Sequence, residues 1–280
     1  MTAATVRTAD GAELSVEAIG DPEAPAILLI GGATWSRDWW DDELCARLAG
    51  AGRLVVRYDA RDTGESTSYP AGAPGYTGAD MVADAIAVLD HLGIGSAHVV
   101  GLSMGGGIAQ RLGLDHPERV AALTLISTGP IEYDGELPGI APELEAAIAG
   151  APPEPDWSDR DAVVAHIVEA ERPYAAPGAY DAERVRAVAE RVVDRSRDVE
   201  ASMKNHFLVD DGPPSTRRLG ELGAIPTLVL HGSDDPLLPP AHGRALAASI
   251  PGARFVELDR MGHELPPPRT WDVVIPLLVG

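Results

Sequence analysis

Lysine is almost absent from this 280-residue sequence, because Lys204 is the only one and the other basic residues are arginines. Acidic residues outnumber basic ones by 43 to 22, so the formal net charge is −21. A surface this acidic repels phosphate backbones and anionic lipid headgroups, which argues against nucleic-acid partners and polybasic membrane binding. The lone lysine follows no glycine-rich turn, which excludes a P-loop nucleotide site.

Cysteine occurs once, as Cys45, so no internal disulfide can form and a reducing compartment is favoured. No apolar stretch approaches the ~18 residues that a membrane span needs, and residues 1–7 lack the basic start and apolar run of a secretion signal. We therefore expect a soluble, cytoplasmic protein. The histidines lack a metal-ligand spacing and a single cysteine cannot build a zinc cage, so we expect neither a metal nor a cofactor.

Short apolar runs alternate with helical segments over most of the chain. Such runs are typical of strands that are buried on both faces, and their alternation with helices predicts an α/β fold with a mostly parallel, doubly wound sheet. An antiparallel hairpin is expected over residues 5–18. The other predicted strands are 26–30, 53–58, 97–100, 123–126, 227–230 and 254–258. The predicted helices are 44–48, 79–92, 107–115, 143–149, 161–171, 181–207, 242–249 and one that begins at about residue 270.

The alternation stops between residues 131 and 214, where the sequence predicts helices only. We expect Ser158 to cap the helix 161–171 and one long helix to run from Asp181 toward Phe207. Residues 1–130 and 215–280 would then form an α/β core, and residues 131–214 a helical insertion. In the last helix, Pro276 is expected to introduce a bend or an end.

The segment Gly101–Gly105 has the form G-x-S-x-G and lies between a buried strand and a helix. This is the context of a nucleophile elbow, in which a strained turn lifts the hydroxyl of Ser103 out of the sheet. Side chains two residues away would clash in such a turn, which explains the two glycines. The sequence therefore predicts that Ser103 is a nucleophile.

A serine needs a general base, and the sequence has eight histidines. Triads built on such an elbow follow the chain order Ser, then Asp or Glu, then His. His263 follows the strand 254–258 and is the predicted base, whereas His231 is the main competitor but precedes the acid in the chain. The remaining six are expected to be structural or at the surface: His91, His98, His116, His166, His206 and His242.

The acid is predicted in the loop after the strand 227–230, because carboxylates at this edge of a parallel sheet face the elbow. Asp234 and Asp235 both lie there, and the pattern alone does not choose between them. Two N–H groups must stabilise the oxyanion. Met104, directly after the nucleophile, is the first, and the loop after the strand 26–30 supplies the second from Ala33, with Gly32 as the alternative.

These residues resemble the α/β-hydrolase family over nearly the whole chain, and within it the polyketide-pathway esterases similar to aclacinomycin methylesterase. The most discriminating segment is Arg61–Ser66, Arg-Asp-Thr-Gly-Glu-Ser, since many relatives carry glycine at the position of Asp62. The other segments that carry the resemblance are Gly31–Gly32, 57–60, 98–105, 235–236, 241–243 and 261–266.

The resemblance implies that Asp235 rather than Asp234 is the acid, because the family's acid lies three residues after the glycine that ends the strand. It also implies ester hydrolysis through an acyl-enzyme, with the helical insertion as a lid over the elbow. Ala33 is followed by Thr34 and no proline, unlike relatives with haloperoxidase or perhydrolase activity, which makes that activity unexpected.

Aromatic residues of the insertion and of the loop after Gly32 are candidates for an apolar substrate pocket: Trp35, Trp157, Tyr174 and Phe207. The alternative for those of the insertion is that they only pack the lid helices together. A bulky, apolar small molecule that is neutral or cationic suits such a pocket and the acidic surface. Two other functions fit the same residues. In the first, the same triad cleaves a lactone or a carbon–carbon bond or catalyses a lyase reaction. In the second, the protein is a receptor that binds a small molecule without turnover.

Overall fold

An eight-stranded sheet lies at the centre of the computed structural model, which describes residues 2–280. The strands are β1 (Thr2–Arg7), β2 (Glu13–Ile19), β3 (Ala26–Ile30), β4 (Leu54–Tyr58), β5 (Ala97–Leu102), β6 (Val120–Ile126), β7 (Thr227–Gly232) and β8 (Arg254–Leu258). Their order in the sheet is β1-β2-β4-β3-β5-β6-β7-β8. β2 pairs antiparallel with β1 and β4, and all other pairs are parallel, which confirms the predicted mostly parallel α/β sheet.

Helices cover both faces of the sheet because its strands are apolar on both sides. In β3, Leu28 and Ile30 face one core, whereas Ile27 and Leu29 face the other. Side chains of α2, α3 and α8 complete the first core, and those of α1 and α9 complete the second. The helices are α1 (Asp42–Gly50), α2 (Gly78–His91), α3 (Met104–Asp115), α4 (Pro142–Ala149), α5 (Arg160–Glu171), α6 (Ala182–Arg195), α7 (Val199–Lys204), α8 (Ala241–Ser249) and α9 (Trp271–Val279).

Helices α4 to α7 lie between β6 and β7, and α5 and α6 share a core of valines, Ile167 and Ala189. The predicted long helix 181–207 is wrong, because α6 ends before Ser196 and the side chain of Asp198 begins α7 by accepting a hydrogen bond from the Ala201 N–H.

Two smaller predictions concern helix ends. The N-cap of α5 is Asp159 rather than Ser158, and its carboxylate accepts hydrogen bonds from the N–H groups of residues 161 and 162. Helix α9 continues through Pro276 to Val279, so the proline does not end it. No helix among residues 2–280 combines the length and apolar character that crossing a bilayer requires.

Arg195, the last residue of α6, ties the helical region to the sheet. Its guanidinium donates to both carboxylate oxygens of Asp59 at 2.7 Å and to Asp38 at 2.7 Å. Asp59 follows β4 and is fully buried, so the pair is shielded from solvent on the carboxylate side. This bond holds α6 near the carboxyl ends of the strands.

Candidate active site

Ser103 occupies the one-residue turn between β5 and α3, with φ 52° and ψ −116°. A positive φ is rare for a residue with a side chain and stores strain. The flanking glycines allow the turn, because a Cβ on Gly101 would lie 2.1 Å from the Gly105 carbonyl oxygen, and one on Gly105 would lie 2.4 Å from that of Ile30. The steric requirement for G-x-S-x-G is thus present in the structure.

The side chains of Ser103, His263 and Asp235 form one hydrogen-bonded chain. Nε2 of His263 lies 2.9 Å from Oγ of Ser103, and Nδ1 lies 2.9 Å from Oδ2 of Asp235. Their loops follow β5, β8 and β7, whose carboxyl ends meet at the same edge of the sheet. The structure therefore brings together the three residues that the sequence and the family resemblance single out.

The loop after β7 separates the two candidate acids. Asp235 is 3% exposed, and its second carboxylate oxygen accepts hydrogen bonds from the N–H groups of Leu237 and Leu238 at 3.0 and 2.8 Å. Asp234 is exposed, and its carboxylate accepts a hydrogen bond from the Ser233 hydroxyl instead. Only the buried carboxylate is in contact with the imidazole of His263.

His231 lies beside the acid loop and does not contact Ser103. Its Nε2 is 2.7 Å from the carbonyl oxygen of Leu238 and 3.5 Å from the carboxylate of Asp235. Burial lowers the pKa of this imidazole. The competitor of His263 thus supports the loop that carries the acid.

The predicted oxyanion donors are the N–H of Met104 and that of Ala33, with Gly32 as the alternative. Met104 is the first residue of α3, so its N–H has no partner within the helix. Gly32 and Ala33 line the cavity at Ser103, and among residues 2–280 neither of their N–H groups donates to another backbone oxygen. Both therefore remain available as the second donor.

Two cavities meet at the triad. The cavity that contains Ser103, here called the Ser103 cavity, has a volume of about 220 Å³. The second cavity, of about 260 Å³, adjoins it. Four residues line both and form the wall between them: Trp35, Glu171, Tyr174 and His263.

Three of the four predicted substrate contacts reach these cavities. Trp35 stacks on Trp39 with ring centroids 4.6 Å apart and lines both cavities, as does Tyr174. Phe207 lines the Ser103 cavity and is 70% exposed, which leaves a large apolar ring free at its rim. Apolar ligands are favoured by such a lining.

The prediction that Trp157 contacts the substrate is wrong, because its side chain lines neither cavity. Its indole packs edge-on against the imidazole of His166 at 5.7 Å, with Lys204 above the ring at 5.5 Å. Its N–H donates to Glu154 at 3.3 Å. Trp157 is half-buried and packs against the core shared by α5 and α6, so its side chain stabilises the helical region.

Glu171 and His206 are the residues that sequence reasoning missed. Glu171 ends α5, and its place in the cavity wall has no sequence signal because any residue of the last helical turn could face inward. His206 was expected at the surface but is 6% exposed, and its Nδ1 accepts a hydrogen bond from the N–H of Thr34 at 2.8 Å. Among residues 2–280, no cluster of three or more metal-ligating side chains is present.

Comparison with known proteins agrees with this geometry. Residues 25–153 match the family described as alpha/beta hydrolase fold. The chain is 36% identical to rhodomycin D methylesterase DauP of Streptomyces sp. (strain C5) and 35% identical to rhodomycin D methylesterase DnrP of Streptomyces peucetius, in each case over 92% of this chain and 91% of the relative. A hydrolase from Pseudomonas aeruginosa PA01 superposes with a TM-score of 0.67 at 27% identity, over 99% of this chain and 96% of that one.

These similarities extend over the sheet, the elbow and the helical region alike, since each relative is covered nearly from end to end. The family resemblance that the sequence motifs indicated is thereby confirmed. The chain belongs to the α/β-hydrolase family.

Proposed function

We propose that this chain hydrolyses the methyl ester of a bulky, largely apolar acid of the polyketide kind through an acyl-enzyme on Ser103. The chain is a carboxylic-ester hydrolase that acts on a small molecule, and the methyl ester is the finer inference. The observation that carries it is the hydrogen-bonded chain Ser103–His263–Asp235, which opens into an apolar cavity. The two similar rhodomycin D methylesterases support the methyl ester.

In the first half of the reaction, Oγ of Ser103 attacks the ester carbonyl while Nε2 of His263 accepts the hydroxyl proton. The carboxylate of Asp235 keeps Nδ1 protonated and stabilises the imidazolium that forms. The N–H groups of Met104 and of Ala33, or of Gly32 in its place, hold the developing oxyanion.

Methanol leaves when the tetrahedral intermediate collapses and the imidazolium of His263 returns the proton to the methoxy oxygen. In the second half, His263 accepts a proton from a water molecule, whose oxygen attacks the acyl carbon. Collapse of this second intermediate breaks the bond to Oγ of Ser103, which regains the proton, and releases the free acid.

The helical insertion, residues 131–214, acts in this proposal as a lid on a core formed by residues 1–130 and 215–280. What supports it is the lining of the Ser103 cavity, to which the insertion contributes Glu171, Tyr174, Met203 and Phe207. The sheet side contributes Trp35 and the elbow. The acyl group of the substrate would lie between the insertion and the sheet side of the cavity. A cytoplasmic location, expected from the single cysteine, stays a prediction.

A panel of aromatic methyl esters, p-nitrophenyl esters and lactones tests the function. We expect release of one methanol per acid formed from at least one methyl ester, and a fall of about a thousandfold or more in kcat for Ser103→Ala. Activity that survives in this variant contradicts the mechanism. Turnover of lactones alone would point to the alternative reaction, and tight binding of apolar ligands without turnover to a receptor.

A further inference from the structure

Glu171 lies in the wall between the two cavities, beside Trp35, Tyr174 and His263. One carboxylate oxygen accepts a hydrogen bond from the indole N–H of Trp35 at 3.3 Å. Among residues 2–280, no arginine, lysine or histidine forms a salt bridge with this carboxylate. Glu171 is half-buried, and a carboxylate without a cationic partner at a ligand cavity is free to pair with a cationic group of a ligand.

The charged neighbours of the second cavity do not supply this partner. Arg184 lines the cavity but pairs with Asp41, with an N–O distance of 3.5 Å. The guanidinium of Arg269 donates to the carbonyl oxygen of Arg260. The remaining charged residues of the lining are the acids Asp181 and Glu264. Neither arginine forms an ion pair with Glu171, whose carboxylate therefore stays available to a ligand.

Aromatic side chains surround the same carboxyl group. Trp35, Trp39, Tyr174 and Tyr180 all line the second cavity. Faces of indole and phenol rings attract cations through their quadrupole, and a carboxylate beside them adds a charge-assisted hydrogen bond. Burial raises the pKa of Glu171 to about 7, against the lowering effect of the Trp35 N–H and of His263, so a bound cation would restore the ionised form.

We propose that Glu171 and the aromatic rings of the second cavity form a subsite for a protonated amine of the substrate. The inference rests on the proposed function, because it places the ester at Ser103 in one cavity and the ammonium group in the other. The shared residues Trp35, Glu171 and Tyr174 make the two cavities adjacent, and the proposal requires a substrate that extends from one into the other. The subsite thus selects amine-bearing esters over neutral esters of the same size.

Matched methyl benzoates test this selectivity. Their para substituents are an alkyl, a hydroxyalkyl or an aminoalkyl arm, each made with one and with three carbons. For wild type we expect kcat/KM for one of the amines to exceed that of its alkyl and hydroxyalkyl counterparts by about tenfold or more. Equal preference for amine and alcohol at both arm lengths, or preference for neither, overturns the proposal.

The variant Glu171→Gln keeps the size of the side chain and removes its charge. We expect it to abolish the preference for the amine, so that the ratio of kcat/KM for the amine to kcat/KM for the alkyl ester falls about tenfold. The matched control is Glu169→Gln on the same helix, where an exposed carboxylate pairs with Arg172 outside both cavities. A similar loss for all three esters in Glu171→Gln, or loss of the preference in the control, contradicts the subsite.

Two measurements separate the subsite from the proposed function. Calorimetry with Ser103→Ala and the aminoalkyl ester measures binding without turnover, and we expect affinity to fall about tenfold when Glu171→Gln is added. Benzylamine should inhibit ester hydrolysis by wild type more strongly than benzyl alcohol does. If wild type hydrolyses no ester, the proposed function fails, whereas equal binding of amine and alkyl ligands refutes the subsite alone.

Discussion

The N–H of Thr34 donates a 2.8 Å hydrogen bond to Nδ1 of His206, which joins the predicted oxyanion loop to the helical insertion. Nε2 of the same ring lies 2.8 Å from the carbonyl oxygen of Arg61, so Nε2 carries the proton and Nδ1 is free to accept. The hydroxyl of Ser202 donates to the carbonyl oxygen of Thr34 at 3.1 Å. Both backbone groups of a residue at φ 68° are thus held by the insertion, next to Ala33.

His206→Leu should therefore lower kcat by about tenfold to a hundredfold with KM changed less than about threefold. Without its acceptor, Thr34 is free to leave φ 68° and the neighbouring N–H of Ala33 no longer points at the oxyanion. Steady-state kinetics of the folded variant measure the effect. His166→Leu is the control, because His166 lies in the same insertion but outside both cavities. An unchanged kcat in His206→Leu would show that the loop holds its shape alone.

A second prediction tests whether steric contacts explain the glycines of the elbow. Gly105→Ala puts a Cβ 2.4 Å from the Ile30 carbonyl oxygen and 2.5 Å from that of Gly31. We expect it to lower the free energy of unfolding by about 1–3 kcal/mol and kcat by at least tenfold, because the turn that positions Ser103 must open.

Gly107→Ala is the matched control two residues further along α3. A Cβ there meets only the Ile131 side chain, at 3.8 Å. Alanine is the better helix former, so this variant should be unchanged or about 0.5–1 kcal/mol more stable in urea unfolding. If both variants lose activity equally, the backbone contact at Gly105 is not the reason for the motif.

Strand positions and the triad could be predicted because each depends on local pattern. Apolar runs such as Ala26–Ile30 are strands in the structure, and Ser103 lies in the elbow that the two glycines indicated. The loop after β7 follows from the strand ends, but strand ends do not choose between its two acids. The spacing in the family indicated Asp235, and the burial and N–H donors that distinguish this carboxylate arise only in the folded loop.

Asp235→Asn should reduce kcat about a thousandfold to ten-thousandfold. The amide would favour the wrong tautomer of His263 and would not stabilise its imidazolium. Asp234→Asn, one residue earlier and exposed, should stay within about twofold of wild type. Comparing kcat/KM of the two variants on one ester checks the assignment, which an equal or larger loss at Asp234 would reverse.

Long-range contacts of the insertion were beyond the reach of sequence reasoning. Glu171 and His206 lie on elements whose ends depend on tertiary packing, and the apparent long helix 181–207 hid the break that places His206 against the oxyanion loop. The acidic composition does not indicate which carboxylates lie near the site, and one of them, Glu171, lies in the wall of the Ser103 cavity.

The carboxyl group of Glu171 makes a prediction about stability and pH. Burial raises its pKa from 4.5 to about 7. The hydrogen bond from the Trp35 N–H and the charge of His263 lower this pKa, whereas the charge of Glu264 raises it further. The native state therefore binds this proton more tightly than the unfolded state does. Its contribution to stability is complete below the unfolded pKa and is lost as the pH rises toward about 7.

Glu171→Gln removes this dependence because its amide does not titrate. Relative to wild type, the free energy of unfolding of the variant should increase by up to about 3 kcal/mol between about pH 4.5 and pH 8. Urea unfolding at the two pH values measures the difference, and Glu169→Gln, which changes an exposed carboxylate of the same helix, should follow wild type. A difference between Glu171→Gln and wild type that is the same at both pH values would mean that folding leaves the pKa of this carboxyl unchanged and would contradict the effect of burial.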